Sequence, residues 1–487
     1  MKMAEMPPRS ESSLSVSNRA FTILIYFAMI VMGAGLFFLI QTGGERLEAP
    51  FPAPPGRDQA AAGHDTINTL MNVLLALAVI IVTARSLGLL FRWIHQPPVI
   101  GEVIGGILLG PSFFGYFAQD LQSVVLPLSI QPFLGVIAHL GVILYMFLVG
   151  MEMDLKVIAR SGHTTLAISH ASILLPFLLG AGLSLGVYPL TATENVSFTI
   201  FALFMGVSLS VTAFPVLARI LTDRKMNKTR IGVIALACAA VDDATAWCLL
   251  ALVVSIAQAD MTSAAFTAVM TLVYVVFVLV CVAPLMRRII PLLERSRELT
   301  QSGMAVIFVA MLLSAMATEF IGIHAIFGAF LLGAVIPGQS RVAHELKHRL
   351  DDVVAVLFLP VFFAFTGMRT QIGLISGWEN WALCGVIILV ACVGKFGGTY
   401  VAARLGGLNN RDASALGILM NTRGLVELIV LNIGLDLGII SPALFAMLVL
   451  MALVTTFMTT PILHILLRTH PRMPEDAADI DGVTPEG

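Results

Sequence analysis

Apolar residues along the chain fall into runs of about 20, the length that crosses the hydrocarbon core of a bilayer as an α-helix. The first run covers residues 20–40, and a Pro-rich segment at 49–56 follows it. Thirteen more runs cover residues 67–91, 98–117, 133–152, 164–187, 196–220, 231–257, 264–286, 301–318, 322–337, 353–370, 381–403, 413–435 and 441–467. The pattern predicts an all-α polytopic membrane protein with about thirteen core spans and one N-terminal span.

The same pattern predicts three regions. Residues 1–66 would form an N-terminal tail, an extra transmembrane helix and the Pro-rich loop, and residues 67–468 the main transmembrane domain. Residues 469–487 are polar and are predicted to be a disordered cytoplasmic tail. The run 20–40 is longer than the apolar core of a secretion signal, so we expect this helix to be retained.

Composition excludes a soluble protein. Hydrophobic residues make up 58% of the chain and charged residues only 12%, against about 25% charged residues in soluble domains. The mean hydropathy is +0.93. With a net charge of −2 and no basic patch, we expect the lipid bilayer and not a nucleic acid as the partner.

The basic residues indicate how the chain is oriented. If the N-terminus is cytoplasmic, 23 of the 28 Lys and Arg residues lie on the inner side. Arg46, Arg57 and Arg369 would lie outside, while Lys395 and Arg423 would lie within spans. This asymmetry follows the positive-inside rule. It predicts cytoplasmic N- and C-termini in a plasma (inner) membrane.

Three motifs recur in the same order in the two halves of the chain. Residues 105–110, 147–151 and 210–215 match residues 328–333, 364–368 and 420–425, at offsets of 223, 217 and 210. Each copy is seven crossings from its partner, so the repeats, about 98–257 and 322–467, would run in opposite directions. Inverted repeats are typical of secondary transporters, whose sites lie where discontinuous helices meet near the midplane.

Polar residues interrupt one predicted span in each repeat. Unwound backbone there would offer carbonyl oxygens to a cation, although a proline kink and an ordinary polar helix face remain the alternative. The interrupting residues are Ser208, Ser210, Thr212 and Pro215 in the first repeat and Asn421, Thr422, Arg423, Gly424 and Glu427 in the second.

Asp242 and Asp243 lie in the middle of an apolar span, where an ionised group costs at least a few kcal/mol. Neighbouring helical residues point about 100° apart, so the two carboxylates can do different jobs. Lys395, also in mid-span, is the expected partner of Asp242; the alternative is that this pair serves only to link two helices. Asp243 would then be the carboxylate that binds either a proton or a monovalent cation.

Two further acidic residues are candidates. Glu427 lies four residues after Arg423, a spacing at which the two side chains can pair on one helix face. Glu102 is close to the inner end of its span. It could lie at the membrane interface or line the ion path.

Four motifs in the chain resemble the monovalent cation:proton antiporter-2 family, which includes potassium-efflux systems, plant cation/H⁺ exchangers and bacterial sodium/proton antiporters. The resemblance extends from about Met71 to Leu467. The motifs are Gln96–Glu102, Thr212–Arg219, Val241–Asp243 with Ala246 and Trp247, and Asn421–Leu428.

The resemblance implies an inverted-repeat sodium/proton antiporter fold with two crossed discontinuous helices. Proton and cation would compete at the residue matching Asp243, and Lys395 would hold Asp242, as in the electrogenic members. It also implies a homodimer, elevator-type movement of a core against a scaffold, no cofactor and no enzymatic activity. The sequence leaves the choice between K⁺ and Na⁺ open.

Two other functions are consistent with buried carboxylates. A cation channel or leak pathway could be built on the same fold, although channels select with rings of carbonyls or charges and no such loop is found between the spans. An intramembrane aspartyl protease needs two carboxylates that meet from separate helices, unlike the adjacent pair here.

Overall fold

The structure is a computed structural model, and it describes residues 14–44, 66–152, 163–194, 196–226, 229–258, 261–294 and 299–468. The predicted Pro-rich loop, the predicted C-terminal tail, Arg46 and Arg57 lie outside the described residues.

The described residues form twenty α-helices. They are α1 (Leu14–Gly44), α2 (Thr66–Trp93), α3 (Pro98–Leu109), α4 (Phe114–Phe117), α5 (Gln119–Val125), α6 (Gln131–Glu152), α7 (His163–Thr191), α8 (Phe198–Ser210), α9 (Phe214–Asp223), α10 (Arg230–Gln258), α11 (Met261–Phe277), α12 (Ala283–Leu293), α13 (Gln301–Ile321), α14 (Ala325–Val335), α15 (Arg341–Val353), α16 (Leu359–Arg369), α17 (Gly377–Leu405), α18 (Asn410–Met420), α19 (Leu425–Asp436) and α20 (Pro442–Arg468). Single turns of π-helix at Val278–Val282 and Val354–Phe358 join α11 to α12 and α15 to α16.

Eleven segments of the described chain are long and apolar enough to cross a membrane, and α18 with α19, bent by 43°, makes a twelfth. The predicted span 322–337 differs from expectation, because its helix α14 has only 11 residues. At 1.5 Å per residue it is about 16 Å long, roughly half of the hydrocarbon thickness. Helix α1 includes the predicted run 20–40.

Glycines in the first helix of each repeat allow very close helix contacts. A Cβ on Gly106 of α3 would lie 2.3 Å from the carbonyl oxygen of Ala364 in α16. Reciprocally, a Cβ on Gly333 of α14 would lie 2.2 Å from the carbonyl oxygen of Phe147 in α6. Only glycine allows this approach. Each repeat thus packs its first helix against the second helix of the other, as a two-fold relation requires.

The helices fall into two groups by their contacts. One group, here called the site bundle, consists of α7–α10 and α17–α20. The other, the flanking bundle, consists of α2, α3, α6, α13, α14 and α16. Both predicted interruptions and both mid-span aspartates belong to the site bundle, so the candidate chemistry is gathered on one side of the boundary between the bundles.

Candidate functional site: the crossing of two broken helices

The first break lies between α8 and α9, where Val211–Ala213 is extended. Pro215 is in the first turn of α9, where a missing N–H costs nothing. The interruption expected at Ser208–Pro215 lies in these extended residues: α8 ends at Ser210, and α9 begins at Phe214, one residue before Pro215. The Ser210 hydroxyl donates to the carbonyl of Val207, 2.9 Å away.

The second break, Asn421–Gly424 between α18 and α19, crosses the first. The backbone N–H of Ala213 donates to the carbonyl of Thr422 over 3.0 Å, and the Thr212 hydroxyl lies 3.3 Å from the carbonyl of Met420. A Cβ on Gly424 would lie 2.5 Å from a Val216 methyl group, so a larger residue would push the breaks apart. Backbone groups that have no partner within their own broken helix thus form hydrogen bonds with the other broken helix.

Arg423 is fully buried at the crossing. Its guanidinium donates to the carbonyls of Ser208 at 2.7 Å and Leu209 at 2.5 Å, which lie in the last turn of α8 and lack helical partners. It also donates to Glu427 at 2.9 Å. The arginine therefore places positive charge at the negative end of a half-helix. The hydroxyl of Thr456 in α20 accepts a hydrogen bond from the backbone N–H of Arg423 and donates one to the carbonyl of the same residue.

Asp242 is completely buried and receives hydrogen bonds from four side chains. Ser169 donates to Oδ1 over 2.5 Å. Ser172 and Thr212 each donate to Oδ2 over 2.8 Å, and Lys395 Nζ lies 3.0 Å from the same oxygen. The structure thus brings Lys395, Thr212 and Asp242 together, and donors from three other elements converge on the carboxyl group of Asp242.

Asp243 has the opposite surroundings. Its side chain is 3% exposed, yet neither carboxylate oxygen has a hydrogen-bond partner within the part of the chain that the structure describes. The backbone N–H of Phe214, at the start of α9, lies close enough to interact with this carboxyl group. A buried carboxylate without donors is costly unless it binds a proton or a cation.

The other predicted residues have separate surroundings. The buried Thr422 hydroxyl and the Asn421 side-chain oxygen lack partners among the described residues, and the Asn421 amide donates to Cys392 Sγ at 3.5 Å. Glu102, 7% exposed, packs against Gly88 of α2. The structure places it there and not at the crossing.

Sequence reasoning missed three residues that complete the site, namely Ser169, Ser172 and Thr456. Ser169 and Ser172 lie three residues apart in the apolar run 164–187, which places both on one face of α7. That spacing was the available signal. Thr456 stands in a run of threonines in α20, and nothing in the run distinguishes it.

Comparison with known proteins points to transport. The family described as sodium/hydrogen exchanger, transmembrane, matches residues 74–469 of the chain. The Na(+)/H(+) antiporter NhaS4 of Synechocystis sp. is 44% identical over 397 residues, which cover 81% of this chain and 97% of the relative. Cation/H(+) antiporter 20 of Arabidopsis thaliana is 38% identical, covering 87% of this chain and 52% of the relative. The K(+)/H(+) antiporter 1 of Saccharomyces cerevisiae is 35% identical, covering 82% and 47%. The chain spans about half the length of these plant and yeast relatives.

A solved structure agrees with the fold. The sodium proton antiporter MjNhaP1 from Methanocaldococcus jannaschii, at pH 8, superposes with a TM-score of 0.60 at 13% identity, covering 82% of this chain and 97% of the other. At this identity the likeness shows the fold alone. The fold class predicted from the repeats and the interrupted spans is confirmed.

Proposed function

Because the chain belongs to the transmembrane sodium/hydrogen exchanger family, we propose that it exchanges a monovalent cation, K⁺ or Na⁺, for protons across the membrane. The names of the similar proteins include sodium, potassium and unspecified cations, each exchanged for protons. This supports the class of substrate and leaves the choice of cation open.

The observation that carries the proposal is the contrast between the two aspartates. Asp242 has four hydrogen-bond donors, which tie it to neighbouring helices. Asp243 is buried without a hydrogen-bond donor among the described residues. Either a proton or a cation can neutralise this carboxylate. The two ligands compete, because the carboxylate carries a single negative charge. One carboxylate with two competing ligands is sufficient for coupled exchange.

The position of Asp243 supports alternating access of the elevator type. Asp243 belongs to the site bundle, and Trp247, one turn further along the same face of α10, packs against Phe327 of the flanking bundle. This places Asp243 on the face of α10 that is turned toward the boundary. Movement of the site bundle along this boundary would expose Asp243 first to one side and then to the other. We further propose a homodimer in a plasma (inner) membrane with cytoplasmic termini, in keeping with the distribution of basic residues.

The test is exchange in proteoliposomes. Internal pH is followed while Na⁺, K⁺, Li⁺ or choline is supplied, and a proton gradient should drive Na⁺ or K⁺ uphill. Asp243→Asn should abolish this exchange, since the amide neither takes up a proton nor carries the negative charge for which the two ligands compete, while the purified protein keeps its elution profile in detergent. Cation movement only down its gradient would indicate a channel or leak pathway, and coupled exchange by a folded Asp243→Asn protein would refute the role of Asp243.

A further inference from the structure

At one end of the molecule, polar contacts join the two bundles. Arg369, the last residue of α16, donates from Nη1 to Asn432 at 2.9 Å and from Nη2 to Asp436 at 2.6 Å. Asn432 in turn donates to the hydroxyl of Thr366 at 2.8 Å. Arg369 and Thr366 belong to the flanking bundle and Asn432 and Asp436 to the site bundle, so all three bonds cross the boundary.

Aromatic side chains cross the same boundary between these contacts and Asp243. Trp247, one turn beyond Asp243 in α10, packs edge-on against Phe327 of α14 with the ring centroids 5.3 Å apart. The ring of Phe330 lies 6.3 Å away. One turn before Phe327 is His324, at the polar end of α14. One helical turn, about 5.4 Å, separates Asp243 from Trp247 on α10. One turn likewise separates Phe327 from His324 at the start of α14.

His139 of α6 adds a group that responds to protons. Its Nδ1 lies 2.7 Å from the carbonyl of Gly135, and because a carbonyl only accepts, Nδ1 must carry a hydrogen. In the neutral ring, Nε2 then presents a lone pair to Asp436 Oδ2, 3.8 Å away. Protonation replaces this repulsion with an ion pair.

Other charged or titratable groups surround this imidazole. The ring of His324 stacks on it, with centroids 5.8 Å apart. Glu319 of α13 accepts from the backbone N–H of Ala325, at 2.7 Å, and Arg369 shares Asp436 with His139. His139 and Arg369, both of the flanking bundle, face different oxygens of the Asp436 carboxylate, so protonation of His139 adds to the attraction between the bundles.

We propose that Arg369, Asn432 and Asp436 form a latch that keeps the path to Asp243 closed on the outer side, and that a proton on His139 tightens it. This inference rests on the proposed movement of the site bundle against the flanking bundle, and Arg369 is outside by the distribution of basic residues. External acid would then hold the outer side closed, and external alkali would let it open.

Thiol accessibility tests the latch without requiring exchange. Phe327→Cys, in a protein whose five native cysteines are replaced by serine, is labelled from outside with a membrane-impermeant methanethiosulfonate. Adding Arg369→Gln should raise the labelling rate about fivefold or more, the lower end of usual coupling between sites. Lys347→Gln is the matched control, because the partner of Lys347 is Glu152 in the flanking bundle, and it should change nothing. Equal rates for all three proteins, or faster labelling only from inside, would overturn the proposal.

The same reporter tests His139. Because the thiolate is the reacting form, low pH slows labelling of any cysteine, so the rate for Phe327→Cys is divided by the rate for Phe327→Cys with His139→Gln at the same pH. This ratio should be lower at about pH 5.5 than at about pH 8, a range in which histidine titrates. An equal ratio at both pH values would refute the role of His139.

A cross-link provides an independent test of movement. Oxidising Thr366→Cys with Asn432→Cys should stop exchange, and reduction should restore it. The control pair Ser112→Cys with Thr370→Cys joins two contacting loop positions beside the flanking bundle and should cross-link without stopping exchange. Exchange by the oxidised Thr366–Asn432 protein would refute the latch. No exchange by the wild-type chain would instead refute the proposed function, while thiol labelling would still decide on the latch.

Discussion

Asp242 and Asp243 leave α10 about 100° apart, and the two faces of that helix are built differently. The Asp242 face meets the other helices of the site bundle, and hydroxyl and ammonium groups converge on it. The Asp243 face turns toward the boundary with the flanking bundle, where no donor reaches the carboxylate among the described residues. Two identical side chains thus differ because of what neighbouring helices bring to them: Asp242 has four hydrogen-bond donors, and Asp243 has no hydrogen-bond partner among the described residues.

Because the two aspartates have different surroundings, we expect them to affect different properties, stability in one case and transport in the other. The donors of Asp242 come from α7, α17 and the first break, so its charge holds three elements in place. The Asp243 carboxyl group forms no hydrogen bond that would link helices among the described residues. We therefore expect substitutions on the Asp242 face to act on folding, and substitution of Asp243 to act on exchange.

The largest expected effect is on the Lys395–Asp242 pair. Lys395→Ala leaves a fully buried carboxylate without its counter-charge, and loss of one partner of such a pair costs about 3–5 kcal/mol. A thermal melt in detergent should show a large drop. Lys347→Ala, which removes the cation of a partly exposed pair with Glu152, is the control and should cost about 1 kcal/mol or less. An unchanged melt for Lys395→Ala would show that the two faces do not differ in this way.

A smaller loss is expected from the hydroxyls. Ser172→Ala removes one donor to Asp242, and a hydrogen bond to a charged group contributes about 1.5–3 kcal/mol. Ser184→Ala is a matched control, since Ser184 is also buried in α7 but donates to the neutral carbonyl of Gly180. The free energy of unfolding should fall more for Ser172→Ala. Equal losses would mean that the charge of Asp242 is not what the hydroxyl stabilises.

The fold could be predicted from the sequence because its signals are strong: apolar runs, an internal repeat and charges at mid-span. The contact of Lys395 with Asp242 could be anticipated for the same reason, since a buried cation in lipid needs an anion. Ser169 and Ser172 were missed because serine is common in membrane helices and its partner depends on how helices pack. Similarly, residue type did not reveal that Pro215 starts a helix or that α14 is too short to cross the bilayer.

The next largest expected effect is a change in the apparent KM for the cation with pH, caused by competition at one carboxylate. If Asp243 binds either ligand, lowering the pH must raise the apparent KM for the cation, by up to about tenfold per pH unit, and added cation must shift proton binding by the matching amount. A grid of exchange rates over cation concentration and pH measures this. A flat apparent KM with a changing maximal rate would place the proton on another group, and Glu427 and Glu102 would be examined next.

The smallest expected effect is that of Asp243→Asn on stability, and it is the sharpest test of the contrast. The substitution replaces a carboxyl group that has no hydrogen-bond partner among the described residues, and the amide keeps the shape of the side chain. The free energy of unfolding should therefore stay within about 1 kcal/mol of wild type, since no hydrogen bond is lost. Asp242→Asn, the matched change one residue earlier, leaves Lys395 without its counter-charge and should cost several times more. Melts of both proteins in detergent measure the difference. A loss for Asp243→Asn as large as for Asp242→Asn would mean that Asp243 also holds the fold together, and loss of exchange in that variant could no longer be assigned to ligand binding.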